Sequence, residues 1–202
     1  MTAQRPYETT LTGAHVRLDP LRADDAEGLF AALADPEVWT WLASAPPADV
    51  ATMQRYVDDS IADRESGERF PWVVRLLDGT VAGWSSYGDI QPEHERIEIG
   101  WTAYGPAWQR SAVNTETKLL LFGHAFDELG YRRVALKTDG RNERSQAAIA
   151  RIGAVREGTL RRHIRRPDGS MRDSVYYSVL AEEWPQVRAR LVERLARGGS
   201  AG

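Results

Sequence analysis

The chain has 202 residues, 42% hydrophobic and 27% charged, which suits one globular domain and excludes wholesale disorder. Cysteine is absent, which excludes disulfide scaffolds, thiolate nucleophiles, iron–sulfur clusters and Cys-based zinc sites, and the four histidines (His15, His94, His124, His163) are too scattered for a His-rich metal site. The formal net charge of −3 conceals a split: residues 1–100 carry 8 basic and 18 acidic side chains, net −10, and residues 101–202 carry 18 and 11, net +7.

In chain order, HVRLDP (15–20) alternates apolar and polar and predicts a first strand. Asp24 with Glu27 forms a capping box for a short helix through Leu29, Phe30 and Leu33, which Asp35-Pro36 stops. A second helix runs over about 49–66, with Gly67 beyond its end. Three strands follow over 70–77, 80–90 and 96–102, the first two joined by the hairpin signal Asp78-Gly79. Gly105-Pro106 breaks the chain before a long helix over 113–129 that ends at Gly130. RVALKT (133–138) is a strand and 142–152 a helix. A terminal strand pair covers 155–165 and 174–180 around Pro167-Asp168-Gly169, and a last helix starts near Pro185. The order β-α-α-β-β-β-α-β-α-β-β-α predicts a single α/β (α+β) domain with a mixed, mostly antiparallel, twisted sheet of about seven strands and helices on both faces. Residues 1–10 and 198–202 are expected to be flexible ends. No apolar run approaches the ~20 residues of a bilayer span, and MTAQRPYETT lacks the apolar core of a secretory signal, so a cytoplasmic, non-membrane protein is expected.

The element order, with IEIGW (97–101), PAWQRSAVNTETKLLL (106–121) and NERSQAAIARIGAVREG (142–158), resembles the GNAT superfamily of acyl-CoA-dependent N-acetyltransferases. HVRLDPLRADDAEGLF (15–30) and DSVYYSVLAEEW (173–184) make the resemblance one to its RimJ/RimL-type branch, over nearly the whole chain. The resemblance implies acetyl-CoA as co-substrate, no metal, and a primary-amine acceptor, either a protein or peptide amino terminus or a small amine.

The family's phosphate loop reads Gln/Arg-x-x-Gly-x-Gly/Ala. Here Gln109 matches, Arg110, Ser111, Ala112, Val113, Asn114 and Thr115 complete the segment, and both glycines are replaced. Such a loop needs backbone N–H groups aimed at an anion at a helix start, and Asn114 is the expected N-cap. Arg110 adds a guanidinium, and residues 132–172 carry 12 basic against 4 acidic side chains, as a ligand with several phosphates requires. Asn142 and Ser145 match the segment that lies beside the pantetheine arm; the alternative is an ordinary helix cap. Where many relatives carry a Tyr acid, this chain has Ala148, Ile149 and Ala150.

Glu98, between Ile97 and Ile99, faces away from both; it is either the base that deprotonates the amine or a carboxylate on a wet sheet face. Backbone amides at Trp101 and Thr102 are the expected oxyanion donors. Trp39 and Trp41 are candidates for an aromatic wall around a cationic amine, with core packing as the alternative; Trp72 and Trp84 are expected in the core. Arg161, Arg162, Arg165, Arg166 and Arg172 crowd the last hairpin; a solvated or homodimer-forming surface, an approach to the acceptor, and nucleic-acid binding are the three readings, the last opposed by the net negative charge. The acidic first half predicts a cationic acceptor, such as a basic amino-terminal segment or a polyamine-like molecule, and not an acidic peptide. A GNAT-like regulatory or assembly domain without catalysis is the alternative function.

Overall fold

A computed structural model describes residues 3–198; the tail at 199–202 and residues 1–2 lie outside the described residues. The start expected to be loose is anchored from residue 3: Ala3 is buried, and Gln4 N–H donates to the Leu129 carbonyl at 2.9 Å.

The strands are β1 (Leu11–Thr12), β2 (Val16–Pro20), β3 (Arg69–Leu76), β4 (Val81–Gln91), β5 (Arg96–Tyr104), β6 (Arg133–Asp139), β7 (Val155–Arg165) and β8 (Met171–Leu180). They form one sheet of eight strands in the order β1-β2-β3-β4-β5-β6-β8-β7, one more than expected because β1 is a two-residue addition at the edge. Only β5–β6 is parallel. The helices are α1 (Ala26–Leu33), α2 (Val50–Ser66), α3 (Ala112–Gly123), α4 (Glu143–Ile152) and α5 (Trp184–Gly198).

Strand alternation builds two cores. On one face Leu18, Trp72, Tyr87, Ile97 and Ile99 pack with side chains of α3, α4 and α5; on the other Val73, Trp84 and Ala103 pack with Leu29, Leu33, Met53 and Val57 of α1 and α2. Asp49 caps α2 by accepting from Thr52 N–H at 2.7 Å, and Gly67 ends it at φ 78°. The expected Asp24–Glu27 box does not form. Asp25 is drawn into an ion pair with Arg75 and accepts from Arg22 N–H at 2.8 Å, so a short 3-10 turn precedes α1. The long helix expected to Leu129 changes character at His124, where a π-helical turn runs to Glu128. The buried Tyr87 hydroxyl donates there to the Leu121 carbonyl, which also accepts from His124 N–H.

Two departures from regular pairing open the sheet. β5 and β6 pair only at Arg96–Arg133, Ile97–Val134 and Glu98–Ala135 and then diverge. A bulge sets Trp101 and Thr102 of β5 against Ser85 of β4, with Trp101 at φ 48°.

Candidate active site

The chain leaves β5 through Gly105-Pro106, makes a 3-10 turn at Pro106–Trp108, and reverses at Arg110, which adopts φ 61°. Ser111 caps α3: its Oγ accepts from Val113 N–H at 3.2 Å and donates to the Trp108 carbonyl at 2.6 Å. The cap is therefore Ser111 and not Asn114, which lies inside the first turn because a hydroxyl three residues earlier already satisfies the helix start. Arg110 directly precedes this cap in the chain, and the first amides of α3 have no partner within the helix. Ala112 and Val113 begin the helix, and Thr115 is buried within it. Asn142 caps α4 by accepting from Ser145 N–H at 2.9 Å. Arg144 donates to Gln109 Oε1 at 2.7 Å, joining the two helix starts across the diverging strands.

On the opposite sheet face, Glu98 is 2% exposed, which removes the wet-face reading. Its Oε2 accepts from Lys137 Nζ at 2.9 Å, while buried Oε1 has no hydrogen-bond partner. Burial pushes the carboxyl above its usual range, against the opposing pull of Lys137 and Arg172. A Cβ at Gly100 would sit 2.8 Å from Oε1, so that glycine leaves the oxygen its room.

Trp101 is 43% exposed and lies over Gly88, where a Cβ would come within 2.3 Å of the indole. The Arg69 guanidinium and the Lys137 ammonium stand 5.2 and 5.5 Å from its ring centre. The Thr102 hydroxyl turns to the α3 face, held by Lys118 Nζ at 2.9 Å and Ser85 Oγ at 2.8 Å.

Trp39 is core and not a site wall: it is 3% exposed, donates to the Leu33 carbonyl at 2.8 Å, and packs against Tyr56 and Trp84. Two residues on, the chain has turned and Trp41 is half-buried beneath the Arg141 guanidinium, 5.4 Å from its ring centre. Trp72 and Trp84 are buried as expected. The arginine hairpin is only partly solvated. Arg161, Arg162 and Arg165 are exposed, Arg166 donates to buried Asp139 at 3.0 Å, and Arg172 is 8% exposed.

Sequence reasoning missed Lys118, Lys137 and the inward turn of Arg172. One signal existed: the chain's only two lysines among 26 basic residues are the two that reach the bulge and Glu98. Among the described residues no cluster of three or more His, Asp or Glu could hold a metal, and no helix is long and apolar enough to cross a membrane.

The profile of the acetyltransferase (GNAT) domain matches residues 15–155. A GCN5-related N-acetyltransferase from Brucella melitensis is 32% identical, with a TM-score of 0.89 over 96% of this chain and 88% of that one. Mycobacterium smegmatis RimJ, solved in complex with CoA-disulfide, has the same fold at 24% identity, with a TM-score of 0.80 over 93% of this chain and 95% of that one. YdaF of Bacillus subtilis (strain 168), named for ribosomal N-acetyltransferase activity, is 34% identical over 110 residues; the match spans 54% of this chain and 58% of that protein. The domain match covers more than two thirds of the chain, and the fold agrees with it: this protein belongs to the GNAT family of acetyltransferases.

Proposed function

We propose that this enzyme transfers the acetyl group of acetyl-CoA directly to a primary amine, with both substrates bound together. The observation that carries the proposal is Glu98: a buried carboxylate, raised above its usual pKa, with one oxygen unclaimed beside the point where β5 and β6 part. The residues present fit the co-substrate. The loop Gln109 to Thr115 offers helix-start amides and Arg110 to phosphates, and Asn142 and Ser145 flank the way to the diverging strands. When bound, acetyl-CoA supplies an acetyl group activated as a thioester, whose C–S bond breaks as the C–N bond forms.

In this mechanism Glu98 Oε1 takes the proton from the acceptor ammonium, and Lys137 holds the carboxylate in place through Oε2. Backbone amides of Trp101 and Thr102, displaced from regular pairing by the bulge, stabilise developing negative charge on the carbonyl oxygen. Ser145 hydrogen-bonds the sulfur that departs. Trp41 and Trp101 line the acceptor side.

The acceptor arrives as a cationic ammonium, drawn by the net −10 of residues 1–100. Protein or peptide amino termini and small amines are both candidates; the name of YdaF favours the former. We assign the reaction to the cytoplasm, and the exposed arginines of the last hairpin are the surface for a homodimer. A second reading, an acyl-CoA-binding regulator without turnover, draws on Ala148, Ile149 and Ala150 standing where many relatives have a Tyr acid.

Thermal unfolding with acetyl-CoA, followed by thiol release with a panel of amines, separates the two. Stabilisation and amine-dependent thiol release support the transferase. Stabilisation with no thiol release for any amine favours the regulator, and no stabilisation rejects both.

A further inference from the structure

Around Glu98 and Asp139 stand Lys137, Arg141, Arg166 and Arg172, and the first three of these four are ion-paired with the two carboxylates. Lys137 is paired with Glu98, while Arg141 and Arg166 are paired with Asp139. Arg172 is the fourth. It comes from β8, on the face that also carries Ser174 and Tyr176, and the register sets Tyr176 beside Lys137 and Ser174 beside Asp139. Glu98 and Asp139 both act on its charge, yet neither forms an ion pair with it among the described residues.

Its hydrogen bonding is as sparse as its pairing. Nε is buried with no partner, and Nη1 lies 3.5 Å from the Trp41 carbonyl, the outer limit of a hydrogen bond. A guanidinium cannot shed its proton in a protein, so it cannot escape burial by becoming neutral, as a lysine can. Glu98 and Asp139 offset part of this charge from beyond ion-pair distance, and a counter-charge in direct contact would offset more.

We propose that Arg172 is an anion subsite on the acceptor side: the acceptor carries a carboxylate that this guanidinium grips while its amine meets Glu98 Oε1. The planar fork suits two-point contact with a carboxylate. This inference rests on the amine-transferase reading and reverses the expectation, drawn from the acidic first half, of a basic or polyamine-like acceptor. The acceptor is a cation at its reacting end and an anion elsewhere, and a polyamine offers Arg172 nothing. The anion comes either from an acidic residue near a peptide amino terminus or from a small amino acid-like molecule.

The test uses matched pairs that differ in one charge, bound to the full chain saturated with CoA and measured by calorimetry. One pair is the peptide amides Ala-Asp-Ala-Ala and Ala-Asn-Ala-Ala; the other is γ-aminobutyrate and its amide. The acid member of the pair that fits is expected to bind about tenfold more tightly. Arg172→Met is expected to bring the ratio within about twofold, and Arg172→Lys to keep part of it. The variants' stabilisation by acetyl-CoA serves as the check on folding, and if Arg172→Met does not fold, Arg172→Lys must still lower the ratio. Preference in the peptide pair alone assigns the acidic peptide; preference in the small pair alone assigns the small molecule. Equal or absent binding of acid and amide to the wild type, or a preference that survives Arg172→Met, overturns the subsite. Failure of acetyl-CoA to stabilise the wild type would instead overturn the transferase reading beneath it.

Discussion

Lys118 and Thr102 are joined beneath the β5 bulge: the Lys118 ammonium, buried on α3, donates to Thr102 Oγ1 at 2.9 Å, and that hydroxyl meets Ser85 Oγ on β4. Burial lowers the Lys118 pKa to about 7. Between pH 7 and the ordinary 10.5 the unfolded chain therefore binds a proton that the folded chain does not, and stability rises with pH across that window. Below it the desolvation penalty is complete. Lys118→Met should raise stability by ~2 kcal/mol at pH 6.5, with a gain that shrinks by pH 9.5. It should also lower kcat, because the bulge loses its tie to α3. Urea unfolding at the two pH values checks the first part, and a gain independent of pH would show that Lys118 is not the titrating group.

Glu98→Gln should lower kcat by about a hundredfold while acetyl-CoA binding stays near normal. The deficit should narrow at high pH, where the amine arrives already deprotonated. Rates across pH 6–10 with a simple amine decide this, and equal rates at every pH would move the base elsewhere.

Ser111→Asp separates the cap from the ligand. Aspartate can keep the cap on Val113 N–H but loses the hydrogen bond that Ser111 Oγ donates to the Trp108 carbonyl, so stability without ligand should fall by about 1 kcal/mol. Its charge would face the phosphates at the start of α3, and acetyl-CoA affinity should fall at least about tenfold. Undiminished binding would show that the loop does not hold the phosphates.

The close fit of Trp101 over Gly88 predicts coupling between them. Gly88→Ala should displace the indole and reduce kcat/KM for the acceptor several-fold. In a Trp101→Ala background the same change should cost little, because the clash is gone. Additive losses would mean that Gly88 matters for some other reason.

His124 is 1% exposed, packed among Trp72, Tyr87 and Tyr7, and burial lowers its pKa to about 4. Its folded value lies below the unfolded 6.5, so the stability it allows is present above pH 6.5 and is lost as pH falls to about 4. His124→Gln should remove up to about 3 kcal/mol of that acid sensitivity. Denaturation midpoints of both proteins from pH 7 to 4.5 test it, and parallel curves would contradict it.

Local signals made the elements legible. The Asp78-Gly79 turn, the Gly67 cap and the alternation in IEIGW and RVALKT act between near neighbours, and the structure keeps them. The site was legible where strand parity alone decides, as with Glu98 turning away from Ile97 and Ile99. It was hidden where pairing across the sheet decides. Lys137 reaches Glu98 only because β6 runs parallel to β5 at that register, and Arg172 is buried only because β8 lies beside β6. Trp39 and Trp41 looked equivalent because a 3-10 turn between helices carries no periodicity long enough to assign faces.

The three-residue pairing of β5 with β6 also divides the molecule mechanically. Residues 11–104 supply five strands on one side of it and residues 133–180 the other three, so among the described residues a short parallel zip is the sheet's only ladder across that line. A ligand lying between the diverging strands touches both sides and works as a keystone, adding cross-links where the backbone provides few. Amide exchange should therefore slow most at 99–102 and 136–139 when acetyl-CoA binds, with less change in the outer strands. On the proposed binding mode, the co-substrate is also the mortar of the sheet.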